Sequence, residues 1–505
     1  MSPTSTPDLV RTLSGIDLIV LLVYLVGVTG VGCLFYWRNR SSEQYMSAGR
    51  SLPGWVVGLS IFGSYVSSIS FLANPGKSYG GDWNAFVFAL SLPLAALIAV
   101  KWFVPFYRKT GEVSAYQHLE NRFGPWARSY AVICYMLTQV ARLGTILYLL
   151  ALALVPLTGF DIRTIIIVVG LIIIVYPLLG GTEAVIWTGV VQAIVLVGGA
   201  LACVVTLLLG MPEGPGQIFS MAMEKHKFSL GSFSGAWDQS TFWVVLIYGL
   251  AINLQNFGID QSYVQRYITA KSDQAARRSV WIGALLYLPI GAAFFFIGTA
   301  LWAFYQANPG LLAPSLDAAG HPDAVFPYYI SRQLPAGLAG LVVAGLCAAA
   351  MDSNLNCMST LFLKDLYLRY FRPAASERES MRVLHGSTLV FGLISIGAAL
   401  AMISIKSALD TWWQLAGILG GGMLGLFLLG LLARAATNRA AVTGVLVGLV
   451  VIMWMTFSPS MSSLPTALRS PFHGFLIIVF GTAAILVAGL LVTAFSKRAA
   501  VKVRA

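Results

Sequence analysis

The chain alternates long apolar stretches with short polar segments. Each stretch holds roughly 20 apolar residues, enough for an α-helix to cross a bilayer. Segments of about 10 residues with alternating polarity, typical of a membrane β-barrel, do not appear. The pattern predicts an all-α polytopic membrane protein with thirteen spans in one membrane domain, residues 1–505. The predicted spans are 14–37, 53–76, 82–107, 126–156, 161–179, 183–210, 241–265, 279–305, 334–363, 381–405, 409–433, 440–457 and 473–496.

Composition supports this class. The chain is 57% hydrophobic and 10% charged, with a mean hydropathy of +0.78, whereas a soluble domain is about 25% charged. The net charge of +12 does not indicate nucleic acid, because the positive residues are segregated by membrane side. We expect lipid around the protein and no nucleic-acid partner. The five cysteines all fall inside predicted spans without a CxxC pair, which indicates small buried residues rather than disulfides.

The distribution of Lys and Arg predicts the orientation in the membrane. One set of inter-span segments carries 22 of the 32 basic residues and the opposite set carries 8. Positive charge accumulates on the cytoplasmic side. The sequence therefore predicts a protein of the inner (plasma) membrane with its N-terminus outside and its C-terminus in the cytoplasm. We expect a monomer.

Two basic residues remain inside spans. Lys101 lies near a cytoplasmic span end, where its side chain can reach the interface. Arg142 lies in the middle of a helix, in CYMLTQVARLGTILYLL. A charge at that depth usually faces a cavity and marks function, and a guanidinium binds a carboxylate through two parallel hydrogen bonds. Arg142 therefore predicts an anionic substrate, or else an internal ion pair, for example with Asp352.

Two further stretches indicate interrupted helices. In the second span, Gly63 is followed by four serines, which permits a break that frees carbonyl groups for a cation or a substrate; the alternative is close helix packing. In the seventh span, Gly258 permits a similar break. Polar residues surround it: Asn253, Gln255 and Asn256 as possible site residues, and Asp260, Gln261, Gln265 and Arg266 near the cytoplasmic end as a structural gate.

A carboxylate also lies in the ninth span. Asp352 occurs in GLCAAAMDSNLNCMST, before any loop signal. At helical spacing it shares one face with Ala349, Ser353, Asn356 and Thr360. This stripe is able to bind a hard cation through oxygen ligands, to accept a proton, or to pair with Arg142.

Other functional classes fit less well. The five histidines lie in loops or near span ends, so no catalytic cluster is indicated and we assign no catalytic residues. The absence of a GxxxxGK[ST] motif gives no indication of ATP hydrolysis. A channel would need a repeated filter loop, which the sequence does not show. A sensor would usually carry a soluble domain, and the hydrophilic segments are too short for one. These observations favour a transporter over an enzyme.

Several motifs resemble the solute:sodium symporter family, and within it the bacterial sialic acid symporters. They are LPGWVVGLSIFGSYVSSISFLANPGKSYGGDW, LGGTEAVIWTGVVQA, DQSYVQRY and LNCMSTLFLKDLY. The resemblance implies a LeuT-type core of two inverted five-helix repeats, over 53–210 and 241–433, after one extra N-terminal helix and before two C-terminal helices. It also implies a substrate and ion site where the second and seventh spans break.

The resemblance also implies roles for single residues. Ser67 and Ser70 match substrate-contacting positions, and Arg142 matches the arginine that holds the carboxylate of sialic acid. Asn253 is not part of this match; as a polar residue of the seventh span, it is expected to help orient the polyol or ring. The carbonyls of Gly63 and Val66 match sodium ligands. Two departures stand out at the sodium sites: a hydroxyl pair is replaced by Ala349 and Ala350, and an aspartate by Gly189. A glutamine that contacts sialic acid is replaced by Ala89.

Together these features predict a symporter that imports a small organic anion, a sialic acid or a related sugar acid or monocarboxylate, driven by a sodium gradient. Asp352 and Ser353, with the carbonyls of Gly63 and Val66, form the expected Na⁺ site. The alternatives are a proton-coupled or uncoupled transporter, or a transporter-like sensor, of the same fold.

Overall fold

A computed structural model describes residues 13–36, 51–111, 114–316, 322–350, 354–405 and 407–502. Apolar periodic sequence forms helices nearly throughout this part of the chain. In chain order they are α1 (Gly15–Tyr36), α2 (Gly54–Tyr65), α3 (Ile69–Gly80), α4 (Asn84–Thr110), α5 (Gln117–Phe123), α6 (Pro125–Thr158), α7 (Ile162–Leu209), α8 (Gly216–Glu224), α9 (Phe242–Ile259), α10 (Gln261–Thr269), α11 (Asp273–Ala307), α12 (Pro322–Gln333), α13 (Leu338–Ala350), α14 (Asn354–Leu361, continuing as the π-helix Phe362–Phe371), α15 (Glu377–Ser404), α16 (Ala408–Leu432), α17 (Asn438–Ser460) and α18 (Gly474–Ser496).

These helices give a span count close to the predicted one. Within the described ranges, nine helices are long and apolar enough to cross a membrane, and α2 with α3 forms a tenth as a bent pair. Three shorter apolar helices, Gly15–Tyr24, Ile162–Val175 and Leu338–Cys347, fall at the predicted first, fifth and ninth spans. The all-helical membrane fold is therefore confirmed. The count of thirteen, and the repeat boundaries 53–210 and 241–433, stay predictions.

The second span is broken, as its glycine–serine sequence predicts, but not at Gly63. Helix α2 ends at Tyr65, Val66 leaves the helical conformation at φ −91° and ψ 97°, and the chain resumes in α3 at an angle of 54°. Gly63 lies inside α2, where a Cβ atom would come within 3.2 Å of the Gly189 carbonyl oxygen. Its lack of a side chain therefore serves close packing against α7, and the break is the segment 66–68 between Tyr65 and Ile69.

The seventh span is broken in the same way. Helix α9 ends at Ile259, and Asp260 adopts an extended conformation, with φ −74° and ψ 123°, before α10 begins. The Asp260 side chain accepts a hydrogen bond from the Ser262 backbone N–H at 2.8 Å and so caps α10. Gly258 is again helical. Its lack of a side chain makes room for the Phe103 ring, since a Cβ atom there would lie 3.0 Å from that ring. Both glycines mark the neighbourhood of a break rather than the break itself.

Helix α7 differs from the predicted pair of spans 161–179 and 183–210. It runs for 48 residues without the expected loop, about 72 Å at 1.5 Å per residue. That is more than twice the roughly 30 Å of a hydrocarbon core. Its two halves pack against different helices, since Gly170 faces Ile396 and Gly199 faces Val342. The segment is thus long enough for both predicted spans.

Segments predicted to share a membrane side contact each other. On the predicted cytoplasmic side, Arg108 at the end of α4 forms an ion pair of 2.8 Å with Asp273 at the start of α11. On the predicted outer side, Lys77 of α3 forms an ion pair of 2.6 Å with Asp410 of α16. These ion pairs join segments that are distant in sequence at each end of the bundle.

Candidate functional site

A cavity lies between the two broken spans. It holds about 900 Å³ free of protein atoms, part of it open to solvent. Its polar lining comes from the breaks and from α6, and includes the predicted site residues Ser67, Ser70 and Arg142. The polar lining is Ser64, Tyr65, Ser67, Ser70, Asn74, Thr138, Gln139, Arg142, Tyr248, Gln255, Asn256, Asp260, Tyr263 and Tyr287.

Arg142 is half-buried on α6 and points into this cavity. Its Nη2 donates a hydrogen bond of 2.5 Å to the carbonyl oxygen of Ser64. That carbonyl belongs to the last turn of α2, where a helix leaves its carbonyls without helical partners and carries partial negative charge. The end of α2 therefore orients the guanidinium within the cavity.

Asp260 brings a carboxylate to the same cavity, which we did not expect from the sequence. It is buried, accepts a hydrogen bond of 3.0 Å from Gln139 Nε2, and interacts electrostatically with Arg142. The sequence suggested a gate near the cytoplasmic end of the span, because DQSYVQRY follows the apolar part. Recognising the extended break at Asp260 required knowledge of where α9 stops.

Ser70 and Ser67 line the cavity from the chain around the first break. The Ser70 hydroxyl donates to the carbonyl of Tyr65 at 2.6 Å and lies 3.5 Å from the Tyr287 hydroxyl. It thus satisfies a carbonyl that the broken helix would otherwise leave unpaired. Ser67 is buried at 5% exposure in the wall.

Asn253 lies behind the cavity wall, fully buried on α9. Its Nδ2 donates to Ser91 Oγ at 2.9 Å, and its Oδ1 accepts from the Tyr65 hydroxyl at 3.0 Å. Both ends of the amide are therefore bound by protein groups. This geometry favours a role in holding Tyr65 over direct contact with a ligand.

Aromatic and small aliphatic side chains form the rest of the wall. Phe88 of α4 stacks on Trp413 of α16, with ring centroids 5.3 Å apart, and Tyr248 of α9 lies 5.1 Å from Trp413. Ala89 lines the cavity beside them. Ala89, which the sequence resemblance matches to a glutamine, thus lies next to an aromatic surface.

The residues of the expected sodium site are only partly described. Val66 is buried in the break and Gly63 lies in the last turn of α2, so their carbonyls are where helical hydrogen bonding stops. Such carbonyls at the negative end of a helix dipole fit a hard cation. Asp352 and Ser353 lie outside the described residues, so their predicted roles stay predictions.

Nearby described side chains add little to that site. Gly189 supplies only backbone, and a Cβ atom there would lie 3.5 Å from Ser60 Oγ. Ala350 is buried and apolar. Across the described chain, no group of three or more His, Cys, Asp or Glu side chains is arranged to hold a metal ion.

Comparison with known proteins identifies the family. The sequence profile of the Sodium:solute symporter family matches residues 45–448. The chain belongs to this family. Among the members of this family, the sodium/sialic acid symporter NanT of Aliivibrio fischeri is 33% identical over 483 residues, which cover 94% of this chain and 92% of that protein. It is 35% identical over 445 residues to the sodium/sialic acid symporter SiaT of Proteus mirabilis, covering 87% and 89%.

Comparison with solved structures of symporters supports the same assignment. A substrate-bound, outward-open Na⁺-coupled sialic acid symporter superposes with a TM-score of 0.87 at 31% identity, covering 95% of this chain and 98% of that one. The closed form of Mhp1, a nucleobase-cation-symport-1 transporter, matches with a TM-score of 0.54 at 16% identity, which supports the fold alone. The predicted LeuT-like fold and the class of function, a sodium-coupled membrane transporter and not an enzyme, are confirmed.

Proposed function

We propose that this symporter imports a small organic anion, a sialic acid or a related sugar acid or monocarboxylate, together with sodium. The observation that carries the proposal is the Arg142 guanidinium in the wall of a cavity between two broken spans. The names of the relatives support the anionic substrate and the coupling ion.

Each residue has a distinct part in this proposal. Arg142 binds the substrate carboxylate, because its planar donors match two carboxylate oxygens. Ser67 and Ser70 contact the substrate body from the first break, and Asn253 acts from behind the wall by fixing Tyr65.

The proposed ion site is the end of α2. The carbonyls of Gly63 and Val66, with Asp352 and Ser353, hold Na⁺, which supplies the driving force when it binds with the substrate. A carboxylate at Asp352 compensates for the missing oxygen ligands at Gly189, Ala349 and Ala350. The same three positions favour one second candidate, a proton-coupled transporter in which Asp352 carries the proton.

We also propose that the protein lies in the inner membrane as a monomer, with its N-terminus outside. The separation of 22 from 8 basic residues supports this orientation. The ion pair of Arg108 and Asp273 supports placing their two segments on the same side of the membrane.

Uptake into proteoliposomes tests the proposal. Proteoliposomes that contain the purified protein are incubated with a panel of radiolabelled carboxylates. Uptake is compared under three conditions: an inward sodium gradient, potassium in place of sodium, and an inward proton gradient. Accumulation of at least one carboxylate only with sodium is expected. Accumulation driven by protons alone supports the second candidate, equal equilibration under all conditions indicates a facilitator, and binding without uptake indicates a sensor.

A further inference from the structure

A buried group of charged side chains, called here the inner charge cluster, lies on the predicted cytoplasmic side of the bundle. Asp365 pairs with Arg128, Arg128 also pairs with Glu120 at 2.9 Å, and Glu120 pairs with Arg369. The Asp365 side chain is fully buried, and the Ser114 hydroxyl donates to its second oxygen at 2.6 Å. Asp365 therefore joins the start of α6 and the end of α14 to the chain just before α5.

The chain just before α5 also contacts the second break. Ala115 and Tyr116 have no exposed surface. The Ala115 N–H donates to Oε1 of Gln261, the first residue of α10, at 2.9 Å. The Tyr107 hydroxyl donates at 2.7 Å to the carbonyl of Gly258 in the last turn of α9. The segment 114–116 thus bridges the broken seventh span and the inner charge cluster.

This bridge lies between the cavity and the cytoplasmic end of α6. Thr138 lines the cavity, and Arg128 lies ten residues nearer the start of the same helix, about 15 Å away at 1.5 Å per residue. Between them, the buried ring of Tyr135 packs against Tyr116 with centroids 6.1 Å apart. Protein therefore fills the route along α6, and a solute follows that route to the cytoplasm only when the segment 114–116 moves.

The position of Asp365 suits a contact that forms and breaks as a unit. It lies in the π-helix Phe362–Phe371, and π-helical turns are rare and frequent at functional sites. Separating Asp365 from Arg128 leaves an uncompensated buried charge on each side unless water enters. The cluster therefore favours two distinct arrangements, one packed and dry and one open to water.

We propose that Asp365 is a positioning residue for release into the cytoplasm. It holds the segment 114–116 beneath the cavity through Ser114 and Arg128, and the route along α6 opens when these contacts break. The inference rests on the proposed orientation of the chain, and it does not depend on which anion is carried.

A cysteine in the cavity wall reports the opening. Thr138→Cys is placed in the full-length protein with its five native cysteines replaced by alanine. A membrane-impermeant methanethiosulfonate reagent is added to the cytoplasmic face of inside-out vesicles, without substrate. Asp365→Asn should raise the labelling rate about tenfold or more, because it removes one partner of a buried charge pair. Ser114→Ala removes a single hydrogen bond and should raise the rate about threefold.

Glu379→Gln is the matched control. Glu379 accepts a hydrogen bond of 2.6 Å from the Tyr367 hydroxyl and lies 3.8 Å from Arg372, at the same end of α14. These contacts involve neither α5 nor α6, so the labelling rate should stay at that of the parent protein. Melting temperatures of all variants show whether a change is confined to the route or affects the whole fold.

The outcomes separate this inference from the proposed function. Labelling of Asp365→Asn at the rate of Glu379→Gln overturns the inference, and so does a lowered melting temperature without faster labelling, which would make the cluster purely structural. If Asp365→Asn does not fold, the rate of Ser114→Ala decides in the same way. Faster labelling only from the outer face overturns the inference together with the proposed orientation. The substrate and the coupling ion are decided by the uptake panel alone.

Discussion

Arg142 and Ser64 are joined by a hydrogen bond of 2.5 Å from the guanidinium Nη2 to the backbone carbonyl oxygen. The bond links the middle of α6 to the last turn of α2, directly before the break. A substrate carboxylate bound to Arg142 therefore sits beside the carbonyls proposed to bind sodium. We expect this proximity to couple the two proposed ligands, because each would favour the geometry of the same helix end.

Gly63 and Gly189 provide a matched pair of substitutions at that helix end. A Cβ atom at Gly63 would lie 3.2 Å from a backbone oxygen of α7, while one at Gly189 meets Ser60 Oγ at 3.5 Å, an ordinary contact. Both residues are helical, where alanine is favoured over glycine by about 0.5–1 kcal/mol. Gly189→Ala should therefore keep or raise the melting temperature, and Gly63→Ala should lower it. Thermal unfolding with and without sodium measures both, and a greater loss in Gly189→Ala would contradict the packing described.

Asp323 predicts a pH dependence of stability. It lies in α12, outside the candidate spans, and burial, opposed by a hydrogen bond from the Ala408 N–H, raises its pKa from 3.8 to about 6. The folded state therefore holds the proton more tightly than the unfolded state. The resulting stability is present below pH 3.8 and is lost as the pH rises through about 6.

Thermal unfolding between pH 4 and pH 7, a range set by this shift, measures the effect. Asp323→Asn removes the ionisable group while keeping an acceptor for the Ala408 N–H, so its melting temperature should vary less with pH over that range. Asp161→Asn is the control, because Asp161 is exposed at the start of α7. A wild-type slope retained in Asp323→Asn would assign the effect to another group.

Asp352 distinguishes the proposed coupling ions. If its carboxylate binds Na⁺, Asp352→Asn should lose sodium stimulation of uptake, and the wild type should require more sodium as pH falls, because protons compete for the carboxylate. Proton coupling predicts wild-type uptake along a pH gradient without sodium. If Asp352 only pairs with Arg142, the residual uptake of the Asp352→Asn protein should keep its sodium dependence. Unaltered sodium dependence in a folded Asp352→Asn protein excludes the sodium-ligand role.

The topology is tested independently of transport. Reporter enzymes fused after the last helix, one active only in the cytoplasm and one active only outside, should give a signal from the cytoplasmic reporter alone. The reason is the excess of basic residues in the segments assigned to that side. Activity of the external reporter would contradict the predicted orientation, and if the N-terminus is also outside it would contradict the count of thirteen spans and the assignment of the repeats.

The sequence predicts where the helices lie better than where they break, for physical reasons. Apolar runs locate the helices because the bilayer requires about 20 such residues, and Arg142 is conspicuous because charge at that depth is costly. The breaks were predicted two or three residues early, since Gly63 and Gly258 reflect close packing of neighbouring helices. A glycine in a span permits either role, and only the tertiary contacts distinguish them.

Polar residues inside spans are harder to assign. Asn253 looks like a ligand-binding group in the sequence, but its amide is occupied by Tyr65 and Ser91. Tyr65 and Tyr287 give no sequence signal, because an aromatic residue in an apolar run resembles core. Which hydroxyl meets which amide depends on helices that are distant in sequence, and hydrophobic periodicity carries no information about that pairing.

Sodium-dependent substrate binding to Arg142→Gln is the most direct test of the central claim, that this guanidinium holds the substrate carboxylate. Removing one partner of a buried charge pair costs about 2–5 kcal/mol, so the affinity should fall about 30-fold or more. Arg142→Lys keeps the charge but loses the planar donors, and it should fall between Arg142→Gln and the wild type. Melting temperatures of the three proteins control for folding. A folded Arg142→Gln protein that binds the transported carboxylate with wild-type affinity would contradict the account.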